Sequence, residues 1–300
     1  MILQHWFTAF LQNRQQRVKV ANTTSEWHSI NGGVPQGTLC GPQMFVHMVS
    51  DLHTDIPDTK FMDDTTLVEI EQKCKGSKMQ QSADDVAKWS TVNQLGLNTV
   101  KTKEMVISFG TAPVIDPLSI NGCIIEQVSE SKLLGVIIQN NLKWDSHIKY
   151  INVKASKRLH YLRCLKRSGL NKNELKTIYV ALIRSVCEYA CPVWSTCLTK
   201  ELSDKLESVQ RRAFRIILPS LSYEEACIDL NLSLLSERRN TLCKQFFDSM
   251  KQPSHKLHDL LPSQKPGVYN LRNNHTYPLP KCNTNRYKNS FVPHCLFNFQ

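Results

Sequence analysis

Two adjacent carboxylates, Asp63 and Asp64, stand between the apolar pair Phe61-Met62 and the strand-forming run Thr65-Thr66-Leu67-Val68. That order predicts a β-hairpin whose tight turn carries both acids. Neighbouring side chains on an extended strand point to opposite faces, so only a turn lets the two carboxylates converge. Hard oxygen ligands on a turn suit Mg²⁺, which completes its shell with substrate phosphates and water. Asp-Asp is also ordinary turn chemistry, and these residues alone leave both readings open. Upstream lies Gly32-Gly33-Val34-Pro35-Gln36-Gly37-Thr38-Leu39-Cys40-Gly41-Pro42, too rich in Gly and Pro for a helix or a central strand. Its glycines permit close backbone approach to a ligand, and Gln36 offers both donors and an acceptor. No Gly-Lys-Ser/Thr follows, so this is not a Walker loop. Downstream, Lys101 sits in the bend Asn93–Thr102, placed either to face the same cleft or to serve as a solvated loop lysine.

The elements that would position these groups follow from periodicity. Ile2, Leu3, Trp6, Phe7, Phe10 and Leu11 recur at helical spacing and predict an opening helix. Val18–Val20 and Trp27–Ile30 read as a hairpin around Asn22–Ser25. Pro42 suits the first turn of a helix continuing through Phe45, Met48, Val49 and Leu52. Ser77 caps a helix bearing Met79, Ala83, Val86, Ala87 and Trp89. Strands are expected at Met105–Phe109, Leu118–Ile120, Cys123–Ile125 and Lys132–Ile138, with Asn121-Gly122 as a hairpin turn. From Trp144 the period becomes helical, marked by Ile151, Ala155, Leu159 and Leu162, then Leu175, Ile178, Leu182 and Val186, then Leu202, Leu206, Val209 and Ile217. The expectation is an α+β chain with a mixed domain over 1–140, a basic helical region over 141–250 and a poorly packed tail over 251–300.

Composition narrows the partners. The 300 residues carry 37 Lys+Arg against 26 Asp+Glu, a formal net charge of +11. That balance favours a polyanion, nucleic acid ahead of an anionic membrane surface. Lys154, Lys157 and Arg158 share one helix face and Arg211, Arg212 and Arg215 another, which predicts a phosphate-backbone surface. Eleven cysteines without a regular framework fit a reducing intracellular compartment, nucleus or cytoplasm. No apolar run is long enough to span a bilayer, so no membrane partner is expected.

The ordered set Gly33-Val34-Pro35-Gln36-Gly37…Gly41-Pro42, Phe61-Met62-Asp63-Asp64, Leu97-Asn98…Lys101-Thr102-Lys103 and Leu133-Leu134-Gly135-Val136 resembles a reverse transcriptase. The downstream runs Trp144-Asp145-Ser146-His147-Ile148, Glu188-Tyr189-Ala190…Val193-Trp194, Leu206–Arg212 and Glu237-Arg238-Arg239 narrow the resemblance to non-long-terminal-repeat, LINE-type, jockey-like retrotransposon polymerases. It covers nearly the whole chain.

The resemblance implies part of a polymerase palm, an antiparallel sheet with helices, followed by a helical thumb-like region. The implied activity is RNA-templated DNA synthesis on an RNA–DNA duplex with dNTPs and Mg²⁺. Asp63 matches the metal-binding palm carboxylate and Asp64 its less essential neighbour. Pro35, Gln36 and Gly37 match the loop lining the nucleotide and template cleft, and Lys101 the lysine that assists the pyrophosphate leaving group. Two Mg²⁺ ions about 3.5–4 Å apart need carboxylates from more than one element. The family places a further catalytic Asp on a strand ahead of the opening helix, and no segment before Trp6 has that pattern. The expectation is therefore a truncated site, incompetent alone. The alternatives are a non-catalytic RNA- or DNA-binding module and an inactive retrotransposon relic.

Overall fold

The computed structural model describes residues 2–30, 32–35, 37–71, 76–110, 115–264 and 276–300. It is mixed helix and strand, in two compact units: residues 1–104 with 114–127, and residues 105–113 with 128–300. The strands form six two-stranded ladders among the described residues, and no larger sheet. No described helix is long and apolar enough to cross a membrane.

In the first unit, α1 (Ile2–Leu11) follows the predicted apolar stripe, with Trp6 stacked on Phe10 at 5.3 Å. An exposed ribbon comes next. Its outer ladder pairs β1 (Gln15–Gln16) with β4 (His28–Ser29), and its inner ladder pairs β2 (Lys19–Val20) with β3 (Thr23–Thr24). The tip thus falls at Ala21-Asn22, and Thr23-Thr24 are strand rather than the expected connection. The helix α2 (Cys40–Val49) leads to the hairpin of β5 (Asp58–Phe61) and β6 (Asp64–Leu67). The helix α3 (Met79–Val92) starts one residue past Ser77's neighbour Lys78, and the Met79 N–H donates to Ser77 Oγ.

The expected strand at Met105–Phe109 does not form. Pairing is confined to β7 (Lys103–Glu104), which meets β10 (Glu126–Gln127) in a parallel ladder. The hairpin of β8 (Ser119–Ile120) and β9 (Cys123–Ile124) forms as expected, with Asn121 and Gly122 both at positive φ. That is the type I′ pattern. Ala83 and Ala87 of α3 bury against Leu118, Ile120 and Ile125, a small core.

The second unit begins with β11 (Glu130–Leu133) and β12 (Val136–Gln139). The run read as one strand, Lys132–Ile138, is a hairpin, because Leu134 and Gly135 take φ of +46° and +87° and reverse the chain. This hairpin belongs to the helical unit, so the division between units falls before it and not near residue 140. The helix α4 (Asp145–Arg167) buries Ile148, Ile151, Ala155, Leu159 and Leu162, the predicted stripe. The helix α5 (Lys172–Ile178) opens with an Asn171–Glu174 capping box and passes through a π-helical segment, Tyr179–Arg184, into α6 (Ser185–Glu188). Then come α7 (Cys191–Trp194), α8 (Lys200–Ile217), α9 (Tyr223–Asp229) and α10 (Leu235–Met250).

One continuous core joins Val136 and Trp144 to Leu206, Val209, Phe214 and Cys243. Part of the tail is packed, while most of residues 251–264 and 281–289 are exposed. With α11 (Asn285–Asn289) and α12 (Phe291–Asn298) it buries Tyr277, Cys295 and Leu296 against Phe247. Those apolar residues lie too far apart in sequence to show a periodic stripe, which is why the segment reads as unpacked.

Candidate functional site

The acidic turn is a two-residue hairpin loop. Phe61 pairs with Asp64, leaving Met62 and Asp63 as the loop, so Asp63 sits in the turn while Asp64 opens the second strand. Met62 takes φ of +54° and Asp63 does not turn positive, the type II′ pattern, in which Gly is usual at the first position. Both carboxylates are exposed, and neither makes a hydrogen bond or ion pair among the described residues.

The arms below the turn are anchored instead. On the upstream arm the Lys60 ammonium donates to the Leu52 carbonyl and lies 3.3 Å from Asp58. At the base the Val68 N–H donates to the Pro57 carbonyl at 3.0 Å. On the downstream arm Glu69 accepts from the Lys78 N–H at 2.8 Å and the Ser77 hydroxyl at 2.7 Å, tying the hairpin to the start of α3. Those donors, the Lys78 N–H first, hold the Glu69 carboxyl below its ordinary range. Neither Lys60 nor Glu69 carries a local sequence signal, because their partners come near only once the hairpin folds.

Such a turn fits a hard divalent cation: two uncommitted carboxylates face solvent on a tip held from below. Two nearby acids that could be taken for further ligands are engaged elsewhere. Asp51 accepts from Trp89 Nε1 at 2.9 Å, and Asp55 lies 3.9 Å from Lys78 Nζ.

The Gly-Pro loop owes its shape to three residues. Arg14 donates to the carbonyls of Leu11, Gly32 and Gly33, the last at 2.7 Å. The Thr38 hydroxyl donates to the Pro35 carbonyl at 3.1 Å and accepts from the Gly41 N–H at 3.0 Å, satisfying a first-turn amide of α2. Gly41 is buried, and a Cβ there would lie 2.4 Å from the Pro35 oxygen. Gly37 is exposed at φ of +75°; Gln36 lies outside the described residues. Lys101 is exposed on a separate turn, its N–H donating to Asn98. No hydrogen bond or ion pair joins its side chain to Asp63 or Asp64.

In the second unit the six predicted basic residues divide by what they touch. Arg158 donates to the Leu182 carbonyl, inside the π-helical segment. Arg212 donates to Ser156 Oγ at 2.9 Å and to the Ser208 carbonyl at 3.3 Å, bridging α8 to α4. Arg211 lies over the Tyr223 ring at 5.3 Å. Lys154, Lys157 and Arg215 are exposed. Beside Arg212 and Lys157 is a shallow depression lined by Asn152, Val153, Ser156 and Lys157. Two motifs distant in sequence meet here as well: the Tyr189 hydroxyl donates to the Leu134 carbonyl at 2.7 Å, and a Cβ on Gly135 would lie 3.1 Å from the Tyr189 ring.

Beneath the basic face lies a buried polar network. Gln210 accepts from the Tyr179 hydroxyl at 2.6 Å and donates to Tyr223 Oη and the Ser233 carbonyl. Glu207 accepts from the Tyr223 hydroxyl and from the first amides of α10, Leu235 and Ser236. Burial pushes both tyrosine hydroxyls well above their ordinary range. The run Leu206–Arg212 thus points its uncharged amide and one acid inward and its arginines outward.

Residues 1–138 match the family described as Reverse transcriptase (RNA-dependent DNA polymerase). The chain is 24% identical over 262 residues to the probable RNA-directed DNA polymerase from transposon BS of Drosophila melanogaster, covering 81% of this chain and 29% of that protein. It is 22% identical over 277 residues to the X-element polymerase of the same organism, covering 86% and 30%. It is likewise 22% identical over 261 residues to the RNA-directed DNA polymerase from mobile element jockey, covering 81% and 28%. The chain therefore spans less than a third of the length of these curated relatives. No solved structure matches it. This chain is thus similar to the LINE-type reverse transcriptases, with the family match over residues 1–138 and similarity to jockey-like element polymerases along most of its length.

Proposed function

We propose that the chain is the part of an RNA-directed DNA polymerase that contributes the acidic palm turn and a nucleic-acid-holding helical region. The carrying observation is the hairpin tip, where Asp63 in the loop and Asp64 at the head of the second strand both stand uncommitted on arms held by Lys60 and Glu69. Asp63 and Asp64 would hold Mg²⁺. Bound there, the metal would supply Lewis-acid stabilisation of phosphoryl oxygens. Asp63 is the primary ligand, because it projects from the loop itself, and Asp64 the secondary one.

The loop Pro35, Gln36 and Gly37 lines the template and nucleotide cleft, with Arg14, Thr38 and Gly41 fixing its backbone. Lys101 is assigned to the leaving pyrophosphate, where an ammonium would offset developing charge. Lys154, Lys157, Arg211, Arg212 and Arg215 contact the phosphate backbone of an RNA–DNA duplex, with Arg158 supporting the helix pair from within. The compartment is intracellular, where template RNA is met.

Ligands for a two-metal displacement must come from more than one element, and Asp51 and Asp55 are held by Trp89 and Lys78. These 300 residues alone should accordingly give no primer extension on an RNA template with Mg²⁺ and dNTPs. Extension that vanishes in Asp63→Asn would overturn the incompetence while keeping the turn catalytic. Extension indifferent to Asp63→Asn would overturn the assignment of the turn.

A further inference from the structure

In the second unit, Lys132 points at a phenol and not at an acid. Its ammonium donates to Tyr150 Oη at 3.1 Å and lies 4.8 Å from the ring centroid. Lys154, one turn along α4 from Tyr150, approaches the same ring at 5.7 Å. Two cations from two elements therefore converge on one hydroxyl. The arrangement is costly without a counter-ion, since like charges near one another repel. We infer that Lys132, Tyr150 and Lys154 form a single-phosphate site, which grips one backbone phosphodiester of the bound nucleic acid where β11 meets α4.

Hydrogen-bond chemistry supports it. Tyr150 Oη accepts from Lys132, which leaves its own O–H proton to donate outward. The two ammoniums, Lys132 first, hold the phenol below its ordinary range, which makes that proton a better donor to an anionic oxygen. A phosphodiester oxygen at this point would accept from Tyr150 and pair with both lysines. The nearest acid on the same face of β11, Glu130, accepts from Ser146 Oγ at 2.6 Å at the start of α4, one turn away from Tyr150. It bounds the site rather than neutralising it.

The inference rests on the nucleic-acid reading above, and the experiment separates the two. Binding of a short RNA–DNA hybrid of fixed sequence is followed by fluorescence anisotropy across a salt series, with the full chain. Tyr150→Phe keeps the ring and removes no charge, so a diffuse basic surface would not notice it. The site predicts roughly 10- to 150-fold weaker binding, the loss of one hydrogen bond to a charged group, at unchanged salt slope. Lys132→Ala, exposed and therefore safe for folding, should lower the slope of log K against log salt by about one. Hybrid binding that is identical in wild type and Tyr150→Phe would overturn the phosphate site and leave the nucleic-acid reading intact. No salt-sensitive binding by the wild-type chain would overturn both.

Discussion

At the scale of single residues, the backbone makes demands that the side chains must meet. Met62 holds a positive φ at the hairpin loop, a conformation that costs a non-glycine residue roughly 1–2 kcal/mol. The strain is tolerated at the tip that presents Asp63. Gly41 meets the opposite demand, since the Pro35 carbonyl occupies the space a Cβ would need. Gly41→Ala should force the loop off α2 and lower stability by about 1–3 kcal/mol. Urea denaturation of the variant beside wild type checks this, and an unchanged midpoint would mean the loop is not held there. The hairpin was legible because its signal is local, an apolar pair, two acids and a strand-forming run within a few residues. Arg14 and Thr38 were not, because their hydrogen bonds join carbonyls that only the folded loop brings near.

At the scale of elements, the junction of β12 with α4 carries a buried histidine. The Ile137 N–H donates to His147 Nδ1 at 3.2 Å, which leaves the neutral ring's proton on Nε2. The ring packs edge-on to Trp144 and Trp194. Burial pushes its pKa down to about 4, against an ordinary value of about 6.5. The unfolded chain therefore binds the proton first as pH falls, and stability must fall with it. This contribution is complete above about pH 6.5 and is lost progressively down to about pH 4, amounting to roughly 3 kcal/mol. His147→Gln retains an acceptor for Ile137 and cannot titrate. Its unfolding free energy should depend less steeply on pH across that window than wild type's, and equal steepness would remove His147 as the cause. The sequence showed α4 through its apolar stripe, but not the hairpin before it. Lys132–Ile138 reads as one apolar strand, and a leucine at positive φ beside Gly135 gives little warning of a reversal. Tyr189, more than fifty residues away, supplies the contact that stabilises the turn.

At the scale of the whole molecule, charge and packing have different distributions. The chain's net charge of +11 originates in the helical unit, whose interior is tied together by Gln210, Glu207 and Arg239. The last of these is buried and donates to Ser195 and Ser203. The outward arginines can serve a polyanion because inward polar groups, not they, hold most of the helix contacts; Arg158 and Arg212 are the exceptions. The acidic turn lies in the other unit, and its proposed role there is to bind metal. Paramagnetic Mn²⁺ in place of Mg²⁺, titrated into ¹⁵N-labelled chain, tests it most directly. Line broadening should centre on the amides of Phe61 to Thr65 and disappear in Asp63→Asn. Broadening spread evenly over exposed acids such as Glu201 and Glu224, or unchanged in that variant, would rule out a metal site at the turn.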